Sequence, residues 1–354
     1  MTQSPSNGQT LELLQRPGNI LEGMKTKPLS YQAPKIKTTQ IDSNATLYSL
    51  TDDTLPLVNL RLVFEGGSAS ETENFGAYSA LASYLKLGGA GNRSGEQIAD
   101  ALASMGASID IGASDDSFVV SLSVLNSDFD AAFSILEDVL LKPKFDVAIL
   151  PVIQSSMKTG IQRRNDRPES IAQRKLREVM FLPDPRGHSL QISDIDKLSI
   201  DIIKQVYATI FSRRNLHIAL DGNLTGLNAE KRITALINSM PKVTKVYSVY
   251  ENEMSPTGIE SLRGKILLVK KDVSQAVVTL STFIPAHNDQ SFYTLQAGNY
   301  ILGGGSFVSR LMQEVRAKRG LAYYSSSRND FDARYGRFIA GSGSRVDATA
   351  ETLK

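Results

Sequence analysis

Residue types that could bind a metal or act as a nucleophile are few in this chain of 354 residues. The chain has no cysteine, which excludes disulfides and thiolate zinc sites. Its three histidines are His188 in DPRGHSL, His217 in NLHIAL and His287 in IPAHND. They are scattered and fit no metal-ligand spacing, so each is predicted to be a surface or core residue. No Ser-His-acid or paired-carboxylate arrangement stands out, which leaves a self-standing hydrolase without support.

Two other segments contain residue types that often bind ligands. The glycine-rich LGGGSFVSRL (302–311) lacks the Gly-Lys-Ser/Thr of a phosphate loop and follows a predicted helix instead of a strand. Its glycines would suit a turn that permits close packing. The basic RRNDRP (163–168) could form a patch for an anionic partner, but a solvated helix end is the favoured interpretation.

The composition is typical of a globular protein, with 41% hydrophobic and 21% charged residues. The length suggests two domains of ordinary size. A net charge of +2 implies no strong field of one sign, so nucleic acid is not an expected partner. No apolar run approaches the ~20 residues that span a bilayer, and the polar N-terminal sequence lacks the apolar core of a signal peptide. We therefore expect neither a membrane span nor an export signal in this sequence.

Hydrophobic periodicity and turn residues divide the chain into strands and helices. The first elements are predicted to be a hairpin turning at Asp42–Asn44, a strand over 55–64, a helix from about Asn74, a helix closed by Gly106, two strands in ASIDIGASDDSFVVSLSVL and a helix in SDFDAAFSILEDVLLKP. Further helices are predicted in DVAILPVIQSSMKTGIQRRND, RPESIAQRKLREVMF and IDKLSIDIIKQVYATIF, followed by a strand in NLHIALDGNL.

The same order of elements then begins again, which indicates an internal duplication. The segment MGASIDIGASDD aligns with RGLAYYSSSRND, and in this alignment Gly106 corresponds to Gly320. The predicted organisation is a polar tail (1–35), a first domain (36–245), a polar linker (246–262) and a second domain (263–354). Because the first copy closes near Gly222, the second copy is expected to lack roughly 80 residues. The predicted fold class is α+β, with two duplicated domains that each pack helices on an antiparallel-rich sheet.

Several stretches resemble the M16 peptidases, the inverted zincins that include insulinase and mitochondrial processing peptidase. They are LPLVNLRLVFEGGSASE, NRSGEQIADALASMGASID, FSILEDVLLKPKFD and, most specifically, ILGGGSFVSRLMQEVRAKRGLAY. The resemblance covers the chain from about residue 36 to its end. It implies that the two domains form half of a clam-shell around a peptide chamber.

In active members of that family a helix carries H-x-x-E-H, whose histidines bind zinc and whose glutamate activates a water molecule. The resemblance aligns this motif with Ser79, Ala82 and Ser83 in GAYSALASYLKLGG, and the more distant glutamate ligand with Gly160. None of these four side chains can hold zinc well. We therefore expect no metal in this chain and interpret the segment as an emptied metal helix, in which Leu81 and Leu85 would still pack in a core.

The resemblance also suggests a role for Arg316 and Tyr323, which lie seven residues apart in VRAKRGLAY. In heterodimeric members, the subunit without the zinc motif supplies such an Arg/Tyr pair across the closed chamber, where the two donors can hold a peptide carbonyl and the developing oxyanion. The alternative is a solvated helix end for Arg316 and a core position for the Tyr323 ring. By the same resemblance, Gly303, Gly304 and Gly305 would line the chamber, whereas a closely packed turn is the plainer interpretation.

The resemblance thus predicts a non-catalytic subunit of a heterodimeric M16-type zinc metalloendopeptidase, inactive alone and donating its Arg/Tyr pair to a partner's site. Zinc is expected only in that partner, an M16 subunit with H-x-x-E-H, and the substrates would be peptides. Peptide would pair with the strand near LPLVNLRLVF or its second-domain counterpart. The alternative is an inert peptide-binding or structural protein without a protease partner. Similarity to exported relatives favours the periplasm over the cytoplasm.

Overall fold

A computed structural model describes residues 30–212, 215–241, 262–332 and 334–354 of the chain. Most of the predicted tail (1–35) and nearly all of the predicted linker (246–262) lie outside the described residues. Every element below lies within the unit Lys37–Lys354.

The strands form two sheets. Their bounds are β1 Lys37–Asp42, β2 Ala45–Thr51, β3 Leu57–Glu65, β4 Ser108–Ala113, β5 Ser117–Leu125, β6 Leu216–Gly222, β7 Gln275–Ile284, β8 Ala322–Phe331 and β9 Gly336–Arg345. The first sheet has six strands in the order β1-β2-β6-β3-β5-β4, and the second has three in the order β7-β9-β8. Strands β2 and β6 pair in parallel, and the other pairs are antiparallel.

Helices cover these sheets. The α-helices are α1 Ala77–Leu87, α2 Gly95–Ser104, α3 Phe129–Leu141, α4 Ile149–Arg163, α5 Pro168–Phe181, α6 Ile192–Lys197, α7 Ile200–Ser212, α8 Ala229–Ser239, α9 Phe292–Asn299 and α10 Thr349–Leu353. Two π-helical segments, Tyr300–Gly304 and Met312–Lys318, follow α9. Over the ranges that the structure describes, we find no helix with the length and apolar character that a membrane span requires. The mixture of sheets and covering helices confirms the predicted α+β class.

The main core lies between the first sheet and its helices. Alternate residues of β3 and β5 point into it, because successive side chains of a strand face opposite sides of the sheet. The register pairs Leu60 with Leu122 and Phe64 with Phe118 across this face. All four are buried, and helices α1 and α3 pack on the same core through their apolar residues.

The predicted duplication is visible in the strand order. In the first sheet β3 pairs with β5 and β5 with β4, and in the second sheet β7 pairs with β9 and β9 with β8. The corresponding glycines, Gly106 and Gly320, both have left-handed backbone with φ of +59° and +63°. Each lies between a helical segment and the edge strand that follows it, where a residue with a side chain would be strained.

Two details of the first domain differ from the sequence prediction. The single helix predicted in IDKLSIDIIKQVYATIF is divided into α6 and α7, because Leu198 takes an extended conformation and is buried in the core. The hydroxyl of Ser199 then accepts a hydrogen bond from the backbone N–H of Ile202 and so starts α7. Helix α8 was not predicted, although Ile233, Leu236 and Ile237 have the spacing of an amphipathic helix.

The expectation that bound peptide pairs with the strand near LPLVNLRLVF is wrong for that strand. Strand β3 lies inside the sheet, with β6 hydrogen-bonded on one side and β5 on the other. Its backbone groups are therefore occupied and cannot accept an added strand. Among the described strands, the two sheets end at β1, β4, β7 and β8. Pairing of peptide with the second-domain counterpart, β7, stays a prediction.

The two sheets are held together where their hairpins meet. The carboxylate of Asp116, in the turn between β4 and β5, accepts hydrogen bonds from Arg186 (2.6 Å) and from Arg334 (2.5 Å), which follows β8. Arg186 is only 3% exposed and also donates to both oxygens of Asp184. Burial and a hydrogen bond with Asp332 raise the pKa of Asp116 to about 7, against the attraction of Arg186. One carboxyl group therefore links both sheets and titrates near neutral pH.

This shift predicts how stability depends on pH. The pKa of Asp116 is raised above its ordinary value of 3.8, so between about pH 4 and pH 7 the folded chain binds the proton more tightly than the unfolded chain. The contribution of Asp116 to stability therefore falls as pH rises through that window. Asp116→Asn removes this titration, and we expect the wild type to lose stability relative to the variant from pH 4 to pH 7. Urea unfolding at a series of pH values measures the difference.

A matched control is Asp347→Asn, whose carboxylate is 76% exposed and pairs only with Arg345 among the described residues. Its difference from the wild type should stay constant across the same range. An Asp116→Asn difference that is equally constant would contradict the raised pKa.

Candidate functional site

Helix α1, the segment aligned with the zinc motif, is firmly built into the core. Buried Glu71 accepts hydrogen bonds from the backbone N–H groups of Gly76 (2.8 Å) and Tyr78 (2.9 Å) and thereby caps the start of the helix. Burial raises the pKa of Glu71, and the two N–H donors oppose that effect. Leu81 and Leu85 are buried, as the core-helix interpretation predicts. Capping and packing therefore hold this helix in place.

The four motif positions lie on two neighbouring helices. Ser79 is exposed on α1, and the half-buried hydroxyl of Ser83 donates to its carbonyl oxygen (3.0 Å), while Ala82 is buried. Gly160 lies exposed on α4, and a Cβ built there would meet no atom within 4 Å. Helices α1 and α4 approach each other closely, since a Cβ on Gly76 would lie 3.1 Å from the Met157 methyl group.

These residues do not fit a zinc ion. Ser79 and Ser83 offer only hydroxyls, one of which is already engaged, and Ala82 and Gly160 offer no ligand atom. Elsewhere in the described ranges, no group of three or more His, Asp and Glu side chains could enclose a metal. The histidines are separate from one another and have other contacts. His188 stacks on Phe75 at 3.7 Å, His217 stacks on Tyr48, and the His287 ring nitrogen lies 3.2 Å from the Asp332 carbonyl.

Arg316 and Tyr323 are brought together on the surface of the second sheet. The centre of the Arg316 guanidinium group lies 5.7 Å from the centroid of the Tyr323 ring. Tyr323 is 73% exposed, so the alternative that buries its ring in the core is wrong. Arg316 is half-buried on the π-helical segment, a distortion that often marks functional sites.

A β-bulge explains the direction of the Tyr323 side chain. Ala322 pairs with Ser344 and Tyr324 with Gly343, which leaves Tyr323 as an extra residue in β8. An extra residue redirects side chains and increases the local twist. The corresponding strand of the first copy, β4, pairs with β5 in regular register. The bulge is therefore a feature of the second copy, at the position of the Arg/Tyr pair.

The glycines of the glycine-rich loop pack closely against neighbouring atoms, in agreement with the interpretation of a closely packed turn. A Cβ on Gly303 would collide with the backbone nitrogen and hydroxyl of Ser327, and a Cβ on Gly304 or Gly305 would lie 2.7 Å from an atom of the preceding helix. The loop leads into Phe307, whose ring lies 5.5 Å from the Arg316 guanidinium centre. Sequence reasoning did not single out Phe307, although a large aromatic residue among small loop residues was a usable signal.

Comparisons with known proteins agree with this architecture. Residues 47–192 match the family model described as insulinase (peptidase family M16), and residues 197–354 match the one described as peptidase M16 inactive domain. The chain belongs to the peptidase M16 family. A crystal structure titled as a peptidase M16 inactive domain from Pseudomonas fluorescens superposes on this M16 chain with a TM-score of 0.79 and 25% identity, covering 90% of this chain and 76% of that one.

Two curated relatives of this M16 chain have different names. It is 27% identical to the non-peptidase homolog YmxG of Helicobacter pylori, over 81% of this chain and 65% of the relative. It is 24% identical to an uncharacterized zinc protease of Streptomyces coelicolor, over 81% of this chain and 63% of the relative. The chain thus spans slightly less than two thirds of the length of these relatives.

The close packing of the glycine loop predicts the effect of adding a methyl group. Gly303→Ala should lower the free energy of unfolding by about 1–3 kcal/mol, because the new Cβ overlaps with Ser327. Gly298→Ala is the control, since its Cβ would meet no atom within 4 Å. As Gly298 lies in α9, alanine there should stabilise by about 0.5–1 kcal/mol. Thermal unfolding of both variants tests the contrast, and equal melting temperatures would refute it.

Proposed function

We propose that this chain is the non-catalytic subunit of a heterodimeric M16-type zinc metalloendopeptidase. It closes the peptide chamber and donates Arg316 and Tyr323 to the zinc site of a partner that carries H-x-x-E-H. The observation that carries the proposal is the exposed contact between these two side chains, on a chain whose own motif positions hold no zinc ligand. The chain itself contains no zinc, and its substrates are peptides.

The chemistry of the pair fits a donor role. A guanidinium group has five N–H donors and a phenol has one O–H donor, and both types can hold a peptide carbonyl as negative charge develops on its oxygen. Among the described residues no carboxylate pairs with Arg316. The neighbouring acid, Glu314, is engaged by Lys318 at 2.5 Å, and that hydrogen bond lowers its pKa. In the partner, zinc supplies the activated water.

The edge strands provide a way to hold peptide beside the pair. Strand β8 is an edge of the second sheet and carries Tyr323 itself. An extended peptide that hydrogen-bonds to such an edge has its carbonyl groups in the plane of the sheet, within reach of donors on that strand. A peptide paired with β8 would have its carbonyl groups beside Tyr323, which is how this subunit would position its substrate.

A second candidate is an inert peptide-binding or structural M16 protein without a protease partner. It is supported by the printed name of the Helicobacter pylori relative, a non-peptidase homolog. Both candidates predict a chain without activity of its own. They differ in whether the chain activates a second subunit.

The experiment mixes the purified chain with an H-x-x-E-H subunit encoded in the same genome and follows hydrolysis of a fluorogenic peptide. The chain alone should release no product and contain no stoichiometric zinc, and the mixture should be active. Arg316→Ala or Tyr323→Phe should lower kcat of the mixture by roughly 10²–10³, the effect of losing one oxyanion donor.

Arg345→Ala is the matched control, because Arg345 lies on the central strand β9 of the same sheet, is exposed and pairs with Asp347. It should leave turnover unchanged. Full activity with Arg316→Ala would remove the donor role. Failure of any such mixture to gain activity would favour the binding protein, and hydrolysis by the chain alone would contradict both candidates.

A further inference from the structure

The guanidinium group of Arg316 contacts two aromatic rings. Its central carbon is 5.5 Å from the centroid of Phe307 and 5.7 Å from that of Tyr323. Both distances are within the range of cation–π attraction, which extends to about 6 Å. Phe307 is 64% exposed and Tyr323 is 73% exposed, so neither ring is placed by burial in the core. Their common contact is Arg316.

The loop that carries Phe307 is fixed on both sides of this residue. Ser306 has φ of +53°, a left-handed conformation that is uncommon for a residue with a side chain. Its carbonyl accepts a hydrogen bond from the hydroxyl of buried Ser309 (2.7 Å), and the carbonyl of Phe307 accepts one from the Gln313 side chain (2.6 Å). Gln313 belongs to the same π-helical segment as Arg316, so the loop and the arginine are positioned by one element.

The way Arg316 is held differs from that of the buried arginine in the same chain. Arg186 donates from both of its terminal nitrogens, Nη1 to the carboxylate of Asp184 and Nη2 to that of Asp116. For Arg316, no side-chain hydrogen bond or ion pair occurs within the described part of the chain. Aromatic rings attract the cation through their faces and take none of its N–H donors. The donors therefore stay available for an oxygen of a ligand.

We propose that Phe307 is a positioning residue for the donor pair: together with Tyr323 it clamps Arg316 between two rings and presents the guanidinium N–H groups to a peptide carbonyl oxygen. The clamp itself depends only on the contacts above. Its effect on hydrolysis rests on the proposed function, so the test has one part that needs the partner subunit and one part that does not.

The first part measures the clamp in the chain alone. With arginine labelled by ¹⁵N, the Nε–Hε resonance of Arg316, assigned by its loss in Arg316→Lys, should show a ring-current shift and restricted motion. Phe307→Leu should remove the shift and increase the motion to that of exposed Arg319. Phe307→Tyr should retain both features. Val308→Ala, which alters the adjacent and 75% exposed residue, should leave the resonance unchanged.

The second part measures catalysis in the mixture with the H-x-x-E-H subunit. Phe307→Leu should lower kcat roughly two- to five-fold with KM within about twofold, since one exposed cation–π contact is lost. Phe307→Tyr should restore kcat. In the Arg316→Ala background, Phe307→Leu should have no further effect, because the residue acts through the arginine. A purely structural role would lower activity in that background as well.

The outcomes separate this inference from the proposed function. The inference would be overturned if the Arg316 resonance were unchanged in Phe307→Leu and if Phe307→Leu affected turnover no more than Val308→Ala does. If the mixture still needed Arg316, the proposed function would stand. An inactive mixture with a resonance that depends on Phe307 would sustain the clamp and refute the function. Loss of the resonance shift together with the selective fall in kcat would support both.

Discussion

The half-buried carboxylate of Asp116 is the interaction on which the arrangement of the two sheets depends. It binds Arg186, which belongs to the first domain, and Arg334, which lies between the strands of the second sheet. Because a charge that is largely removed from water needs a paired partner, separating the two sheets would cost Asp116 its hydrogen bond with Arg334. Next to this network Phe181, Phe283 and Tyr335 pack edge to face, with centroids 5.6–5.7 Å apart. The polar and aromatic contacts together fix the second sheet and the β8 edge with it.

The two copies of the repeat differ in the side chains at the positions of Arg316 and Tyr323. Arg316 precedes Gly320 by four residues, as Leu102 precedes Gly106. Tyr323 follows Gly320 by three residues, as Ile109 follows Gly106. In the first copy these positions are apolar, and Leu102 is buried. In the second copy a π-helical segment and a β-bulge turn the polar pair to the surface. The second copy thus has two polar side chains at positions that are apolar in the first copy, while the metal positions of the first copy carry no ligand.

The helix aligned with the zinc motif shows why a fold can survive the loss of its chemistry. Its stability comes from the Glu71 cap and from apolar residues on its inner face, which include Ala82 at one motif position, whereas Ser79 and Ser83 lie outside that face. Open space at Gly160 is consistent with this separation, because nothing else has filled the position. Packing and catalysis occupy different faces of the same element, so one can change without the other.

The sequence by itself determined most strands and helices and the repeat. These follow from periodicity, turn residues and residue types within short segments, such as Ser94 and Gln97, which form the capping box of α2. The emptied metal helix and the Arg316–Tyr323 pair were identified only through the resemblance of the sequence to the M16 peptidases. Only the tertiary structure decided that β3 is an internal strand, that Leu198 interrupts a helix and that Phe307 reaches Arg316. It alone joined Asp116 to Arg334, 218 residues away. Such contacts depend on which distant surfaces meet, and local patterns carry no information about that.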